Sequence, residues 1–373
     1  MQTTIRVGEP RELLAFIPFQ LGFEPHESAV VVSLRSSGRV GLVARVDLED
    51  LTDPEDGPQL ARSLVTYLVE DGARSAVLVL YSSRELRAAQ GAGLARAARA
   101  HLGRAAEPFL TGVACWAVGP EGYYDPTCED LTCCPPGGRP RTELESTAVS
   151  AQMVLEGSQV LPSRTDLGRI PRATDARRRS ARRAAARWAA RLAGAPDSAT
   201  AQRWREQGLA LWRQEVGRAA VDGSTQAAAT VLGRLLAALD DVLVRDGVLL
   251  GLVPGAERVA DRVVAGGGGD EVGQALRVII DPEVGVAPEQ DRTSAARTVL
   301  EAVVAHAPRR SQAPASTLLA VLAWWNGDGA RASVLCERAL EADEHHRLAL
   351  LVHEALVQGM PPGWLRAAQR EAG

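Results

Sequence analysis

The chain has 373 residues, of which 46% are hydrophobic and 24% charged, with a formal net charge of −4 at pH 7. That length exceeds one ordinary core and that composition is globular, so two units are expected and chain-wide disorder is excluded. All 42 basic residues are arginine, a bias of GC-rich genomes that removes Schiff-base lysine chemistry and the lysine-dependent phosphate loop, while the negative balance argues against a general nucleic-acid coat. Met1 to Glu9 has no charged segment followed by an apolar core, so no signal peptide is read and a cytoplasmic setting is expected. The longest apolar stretch, Val231 to Val253, is interrupted by Arg234, Asp240, Asp241, Arg245 and Asp246, so it is expected to be a helix outside any membrane. Five cysteines, an odd number, do not make a disulfide framework in that setting.

Residues 28–34 and 40–48 are β-rich runs joined through Ser36, Ser37 and Gly38, which predicts a hairpin. From Pro58 to Glu70 the residues Leu60, Leu64, Val65 and Leu68 recur at helical spacing. Residues 76–81 form a continuous apolar run, as a strand buried on both faces requires. An alanine-rich helix over Arg84 to Leu102 and a strand over 112–118 follow. The order β-β-α-β-α-β places strands in helix-linked crossovers and predicts an α/β unit over 10–160, a mixed sheet with packed helices, carrying a cysteine-rich loop at 125–138.

Residues 172–373 read as almost wholly helical, making the fold class α+β or α/β followed by a mostly α-helical domain. Between Thr174 and Leu192 an apolar stripe of Ala181, Ala184, Ala185, Trp188 and Leu192 opposes Arg178, Arg179, Arg182, Arg183, Arg187 and Arg191. A second helix is expected to turn Trp204, Leu211, Trp212 and Ala219 inward. Glycines at 266–269 and the proline-containing segment 281–289 interrupt the pattern. Three short antiparallel helices are predicted after Leu318, with turns at Asn326 to Gly329 and before Gly359 and Pro361. The placement of Gly327, Ala332 and Ala339 resembles one tetratricopeptide hairpin, fewer than the three or so units a solenoid needs, and Glu344 stands where such repeats have proline.

The candidate chemistry centres on Cys128, Cys133 and Cys134. A structural zinc site uses four soft ligands, and side chains of adjacent residues are expected to diverge. One of Cys133 and Cys134 would then join Cys128, with Cys115 and a distant histidine completing the set. A reversible disulfide is a second reading, opposed by Asp125, Glu129 and Asp130, which disfavour a nearby thiolate. A third is a buried turn whose cysteines act as small hydrophobes under Pro135 and Pro136. A cysteine hydrolase lacks an adjacent histidine base, His101 being the nearest in sequence. No Gly-x-Ser-x-Gly elbow or His-Glu-x-x-His is present.

Elsewhere, Arg45 and Asp47 share a strand face and can line a pocket at the sheet ends or simply decorate it. Asp241 and Arg245 fall one helical turn apart, as an ion pair requires, and Arg245-Asp246 can orient a ligand or serve structure alone. Arg179, Arg183 and Arg187 can hold nucleic-acid phosphate or form a solvated face. His345-His346 has too little context for a metal motif, and His345 is expected to begin a helix.

Pro18-Phe-Gln-Leu-Gly-Phe-Glu-Pro25 with Ser28 and its following valines, Arg45-Val-Asp47, the Cys128/Cys133-Cys134-Pro-Pro loop, Arg245-Asp246, and Trp324 to Leu340 form a set of landmarks along the chain. Together they resemble an actinobacterial family known as domain of unknown function 4192. The resemblance implies an α/β plus helical architecture in a bacterial cytoplasm and no particular activity. The family's loop reads Cys-x-Asp-Pro-x-Cys-Cys-Pro, and Leu131 replaces its internal proline here. The sequence supports a non-catalytic protein-interaction or regulatory module with a protein partner. The alternatives are a small-ligand sensor or enzyme with its site beneath the cysteine loop, and nucleic-acid binding through residues 177–191.

Overall fold

The structure is a computed structural model and describes residues 9–36 and 39–372. Ser37 and Gly38 of the expected hairpin turn, and Met1 to Gly8 of the segment read for a signal peptide, lie outside the described residues. The chain divides into two compact units, Met1–Leu167 and Gly168–Gly373.

The first unit runs α1 (Pro10–Leu21), β1 (Ser28–Arg35), β2 (Val40–Asp47), α2 (Leu48–Thr52), α3 (Gly57–Glu70), β3 (Ala73–Tyr81), α4 (Ala89–Ala106), β4 (Val113–Val118), β5 (Gly122–Tyr124), β6 (Arg139–Pro140), α5 (Thr142–Glu145) and α6 (Ala148–Leu155). Its six strands lie in the order β2-β1-β3-β4-β5-β6. β1 is antiparallel to both β2 and β3, and β3 is parallel to β4. The two expected crossovers are therefore present, one through α2 and α3 and one through α4. β1 and β3 sit centrally, which is why residues 28–33 and 76–81 are buried without alternation. Ala61, Leu64, Val65 and Leu68 of α3 recur every three or four residues and pack on Ala29, Val31, Leu78 and Leu80. Each such leucine contributes about 1.5–3 kcal/mol by leaving water.

Two elements, α4 and α1, differ from the sequence expectation. α4 begins at Ala89 instead of Arg84, because residues 82–88 form a loop at the C-terminal end of β3. α1 was not foreseen, since Pro18 lies inside it; its end is marked by Gly22 at φ 76°.

The second unit comprises α7 (Asp175–Ala193), α8 (Ser198–Asp222), α9 (Ala229–Asp240), α10 (Val242–Leu250), α11 (Glu257–Val264), α12 (Gly269–Ile280), α13 (Gln290–His306), α14 (Ala313–Trp325), α15 (Gly329–Ala342), α16 (Arg347–Val357) and α17 (Gly363–Ala372). The apolar stripe of α7 packs Ala181, Ala184 and Trp188 inward as expected. In α8 the buried leucine is Leu209, with Leu211 only half-buried, because Trp204, Gly208, Leu209 and Trp212 share the inner face. α14 is buried along almost its whole length, and its Trp325 indole donates to the Val286 carbonyl at 3.0 Å, tying down the 281–289 segment. The stretch 231–253 is two helices, not one. Asp241 ends α9 and caps α10, its Oδ1 accepting from the Leu243 and Val244 N–H groups. No described helix is long and apolar enough to cross a membrane.

Candidate metal centre

The cysteine loop leaves β5 at Tyr124 and returns at β6. Two aspartates shape it. Asp125 Oδ1 accepts from Thr127 N and Oγ1, both at 2.7 Å, and Asp130 Oδ1 accepts from Thr132 N at 2.8 Å, closing two side-chain-to-backbone turns. Cys134 N–H then donates to the Asp130 carbonyl at 2.7 Å. Leu131, where the resembled family has proline, is exposed, and the turn closes through Asp130 instead. Gly137 and Gly138 follow at φ 79° and 84°. A Cβ on Gly138 would lie 2.8 Å from the Tyr123 carbonyl, so glycine is what lets the returning chain pair with β5.

These turns bring Cys128, Cys133 and Cys134 together, with all three sulfurs within 4.8 Å of one another. The expectation that the adjacent pair diverges is overturned: Cys133 Sγ and Cys134 Sγ are 4.0 Å apart. The tight turn at Asp130 twists the backbone between them, so both point to one side. Cys115 is not part of this group. It lies on β4 in the sheet core, where burial pushes its thiol up to about 12. Of the three grouped cysteines Cys134 is buried, Cys128 half-buried and Cys133 exposed. Burial also pushes the Cys134 thiol up to about 11, against the Asp125 backbone N–H, which favours its thiolate.

Arg87, in the loop after β3, fastens this assembly. Its Nη1 donates to the Cys134 carbonyl and its Nη2 to the Pro135 carbonyl, both at 3.0 Å. The guanidinium lies 4.1 Å from the centre of the Tyr124 ring. The Tyr124 hydroxyl accepts from Leu86 N–H at 2.9 Å. Glu85 holds Arg87 from the other side at 3.2 Å. Nothing in the sequence flags Arg87, which is one of 42 arginines and 47 residues from the carbonyl it binds.

Arg45 and Asp47 are not part of this centre. They pair with each other at 2.6 Å, and Arg45 Nε donates to Ser28 Oγ at 2.8 Å. They face the side of the sheet occupied by Val30 and Val79, whereas Cys134 and Tyr124 join the opposite core. Four strand spacings, about 19 Å, separate β2 from β5, so a shared site beneath the cysteine loop is excluded. Glu27, just before β1 at the end of the sheet where Ser28 pairs with Asp47, has φ 41°, the one described non-glycine residue with positive φ. Burial raises its carboxyl pKa, but hydrogen bonds from Ser83 and Ser82 and the charge of Arg84 outweigh it and hold the group below its usual range.

In the second unit, the expected Asp241–Arg245 ion pair is absent. Asp241 Oδ2 accepts from Arg205 Nε at 2.9 Å, and Arg245 holds Asp246 Oδ1 through Nε and Nη2 at 3.0 and 2.8 Å. Arg245 Nη1 also stands 3.5 Å from His346 Nε2. His346, not His345, caps α16: it is buried and its Nδ1 accepts from Ala349 N–H. Leu192, Trp204, Ala237 and Leu243 line a groove of about 400 Å³ whose Arg205 is already held by Asp241. Arg179, Arg183 and Arg187 project from the outer face of α7.

A mixed α/β unit bearing a three-cysteine loop, followed by a helical unit, is thus the class of protein defined. The chain belongs to the family described as Domain of unknown function (DUF4192), which matches residues 10–265 and 284–363. No curated protein and no solved structure matches it.

Proposed function

We propose that this protein is a non-catalytic regulatory module whose cysteine loop takes one thiophilic metal ion, zinc being the representative case, through Cys128, Cys133 and Cys134. The observation that carries the reading is the convergence of three sulfurs within 4.8 Å. Zinc–sulfur bonds of about 2.3 Å in a tetrahedral set hold their sulfurs about 3.8 Å apart, so the trio needs a contraction of less than about 1 Å. Three thiolates leave a fourth position for water or a partner's side chain, an exchangeable arrangement unlike a closed structural site. Asp125, Glu129 and Asp130, which disfavour a bare thiolate, favour a bound cation. Binding displaces thiol protons, and Arg87 relays the loop's position to residues 85–87 beside the sheet. The antiparallel α14, α15 and α16, tetratricopeptide-like in burying Ala332 and Ala339, supply the surface for a protein partner in this reading.

The test is titration of the reduced full-length chain with Cd²⁺, read by thiolate-to-metal charge-transfer absorption, and with Zn²⁺ against a chelator. One ion per chain is expected, lost in Cys128→Ser and in the solvent-exposed Cys133→Ser and kept in Cys115→Ser. Wild-type protein without that absorption, or Cys133→Ser with undiminished binding, would sink the proposal.

A further inference from the structure

The outer face of α7 carries a charge distribution that the cysteine centre does not use. The helix contains seven arginines and a single acid, Asp175, at its first position. Three of the arginines are engaged: Arg177 by His306 and the Ala227 carbonyl, Arg178 by Asp175, and Arg191 by Gln207 and the Trp188 ring. Among the described residues the other four, Arg179, Arg182, Arg183 and Arg187, are exposed and in no ion pair. At 100° per residue they fall within about 140° of arc, and the exposed positions between them are Ala176, Ala186, Ala190 and Ala193, with Asp175, already held by Arg178, at the N-terminal end. Arg179, Arg183 and Arg187 form a row with steps of about 6 Å along the axis. Four guanidinium groups therefore stand free over a low surface, inside a chain whose net charge is −4.

We infer that this face of α7 binds the phosphate backbone of double-stranded DNA. Charge complementarity selects a polyanion, and the character of the face narrows the choice. The apolar side of α7 is buried in its own unit, so the helix has nothing to insert into a lipid headgroup layer, which an interfacial helix requires. A protein partner of ordinary affinity needs a desolvated apolar or aromatic centre, and this face offers arginine and alanine, with Asp175 paired to Arg178 at its N-terminal end. Single strands are held by stacking unpaired bases on exposed aromatic rings. Trp188, the one aromatic residue of the helix, is buried and covered by Arg191. A duplex backbone needs neither apolar nor aromatic contact: guanidinium forks bind phosphate oxygens directly. The B-form major groove, about 12 Å wide, also admits a helix face that the narrow A-form groove does not.

Binding of a fluorescein-labelled mixed-sequence 30-base-pair DNA duplex to the full-length chain tests this, measured by anisotropy from 50 to 200 mM salt. Four phosphate contacts give a slope of about −3.6 in log K against log salt, a loss of about 150-fold over that range. Replacing Arg179, Arg182, Arg183 and Arg187 by glutamine is expected to abolish binding, and Arg183→Gln alone to reduce the slope by about 0.9. A control changing Arg297, Arg309, Arg310 and Arg347 to glutamine, the same loss of charge elsewhere, keeps the slope. Circular dichroism establishes that both variants fold. The inference fails if wild type shows no salt-sensitive binding or if the α7 variant binds like wild type. It fails equally if the control loses as much affinity, or if single-stranded DNA or anionic vesicles bind more tightly than the duplex.

Discussion

Replacing Gly233 by alanine should destabilise the second unit, although alanine is the better helix former. Gly233 lies within α9 where that helix crosses α7. A Cβ placed there would sit 2.1 Å from the Ala181 carbonyl oxygen, with the Ala181 carbonyl carbon and Cα at 2.8 and 2.9 Å. Every one of these is a backbone atom, so no side chain can swing aside. Restoring an ordinary contact of about 3.4 Å requires the helices to part by about 1.3 Å, and a gap of ~0.5–1 Å already forfeits a quarter to a half of each contact's dispersion energy. Overpacking of this kind costs about 1–3 kcal/mol, placed near the top of the range by the backbone obstacle, while helix propensity returns about 0.8–1 kcal/mol. The expected net loss is ~1–2 kcal/mol. Gly217 is the internal control: it lies in α8, is exposed, and has nothing within 4 Å of its added Cβ. Gly217→Ala should therefore stabilise by about 0.5–1 kcal/mol. Urea unfolding followed by tryptophan fluorescence reads this unit selectively, since six of the seven tryptophans lie in it and only Trp116 outside. If Gly233→Ala matched or exceeded Gly217→Ala in stability, the close approach of α7 and α9 would be wrong.

Two further outcomes are expected. Arg87→Ala removes both hydrogen bonds to the cysteine loop, each to a charged donor worth about 1.5–3 kcal/mol when intact, and groups that orient metal ligands typically contribute 10–100-fold to affinity. Cadmium affinity should fall within that range while one ion per chain is still bound, and unchanged affinity would show that the clamp does not position the thiols. Burial, and then the nearby Arg245 charge, hold His346 below its usual value of 6.5. Its folded state thus binds fewer protons than its unfolded state: the stability it contributes is fully present above about pH 6.5 and is lost as pH falls through the folded value. His306 is lowered too, chiefly by burial, and acts in the same direction. His346→Asn, which keeps a capping oxygen but does not titrate, should flatten the decline in urea midpoint between pH 7 and pH 5 without abolishing it. An identical decline in the variant would remove His346 from the account.

The parts of the fold that were legible are those whose pattern is local. The runs 28–34 and 76–81 announce central strands because both faces are buried, and the arginine and alanine periods of α7 announce one exposed and one packed side. β5 and β6 were illegible for the converse reason: three and two residues respectively, they exist only through pairing made possible at Gly122 and Gly138. Pro18 concealed α1, and the apolar runs on both sides of Asp240 and Asp241 concealed the division there, although the Asp241 cap is itself local, accepting from the Leu243 and Val244 N–H groups. The expected Asp241–Arg245 pair failed with it. Spacing permits a contact, but the helix break and the nearer Arg205 decide which contact forms.

The cysteine centre is a stricter case, because its residue types were visible and its geometry was not. Adjacent side chains diverge in a strand, and the inference that Cys133 and Cys134 cannot serve one ion assumes that regular backbone. Asp130 breaks the assumption by drawing Thr132 N–H to its carboxylate and Cys134 N–H to its carbonyl. The folded loop then leaves the Cys134 and Pro135 carbonyls side by side, a pair of acceptors that one planar guanidinium can satisfy at once and one ammonium group fits poorly. A lysine-free composition that reads at first as genomic bias therefore has a mechanical consequence here. The residue fastening the candidate metal ligands is a two-pronged donor, and Arg87→Lys, which preserves charge, should loosen the loop much as Arg87→Ala does.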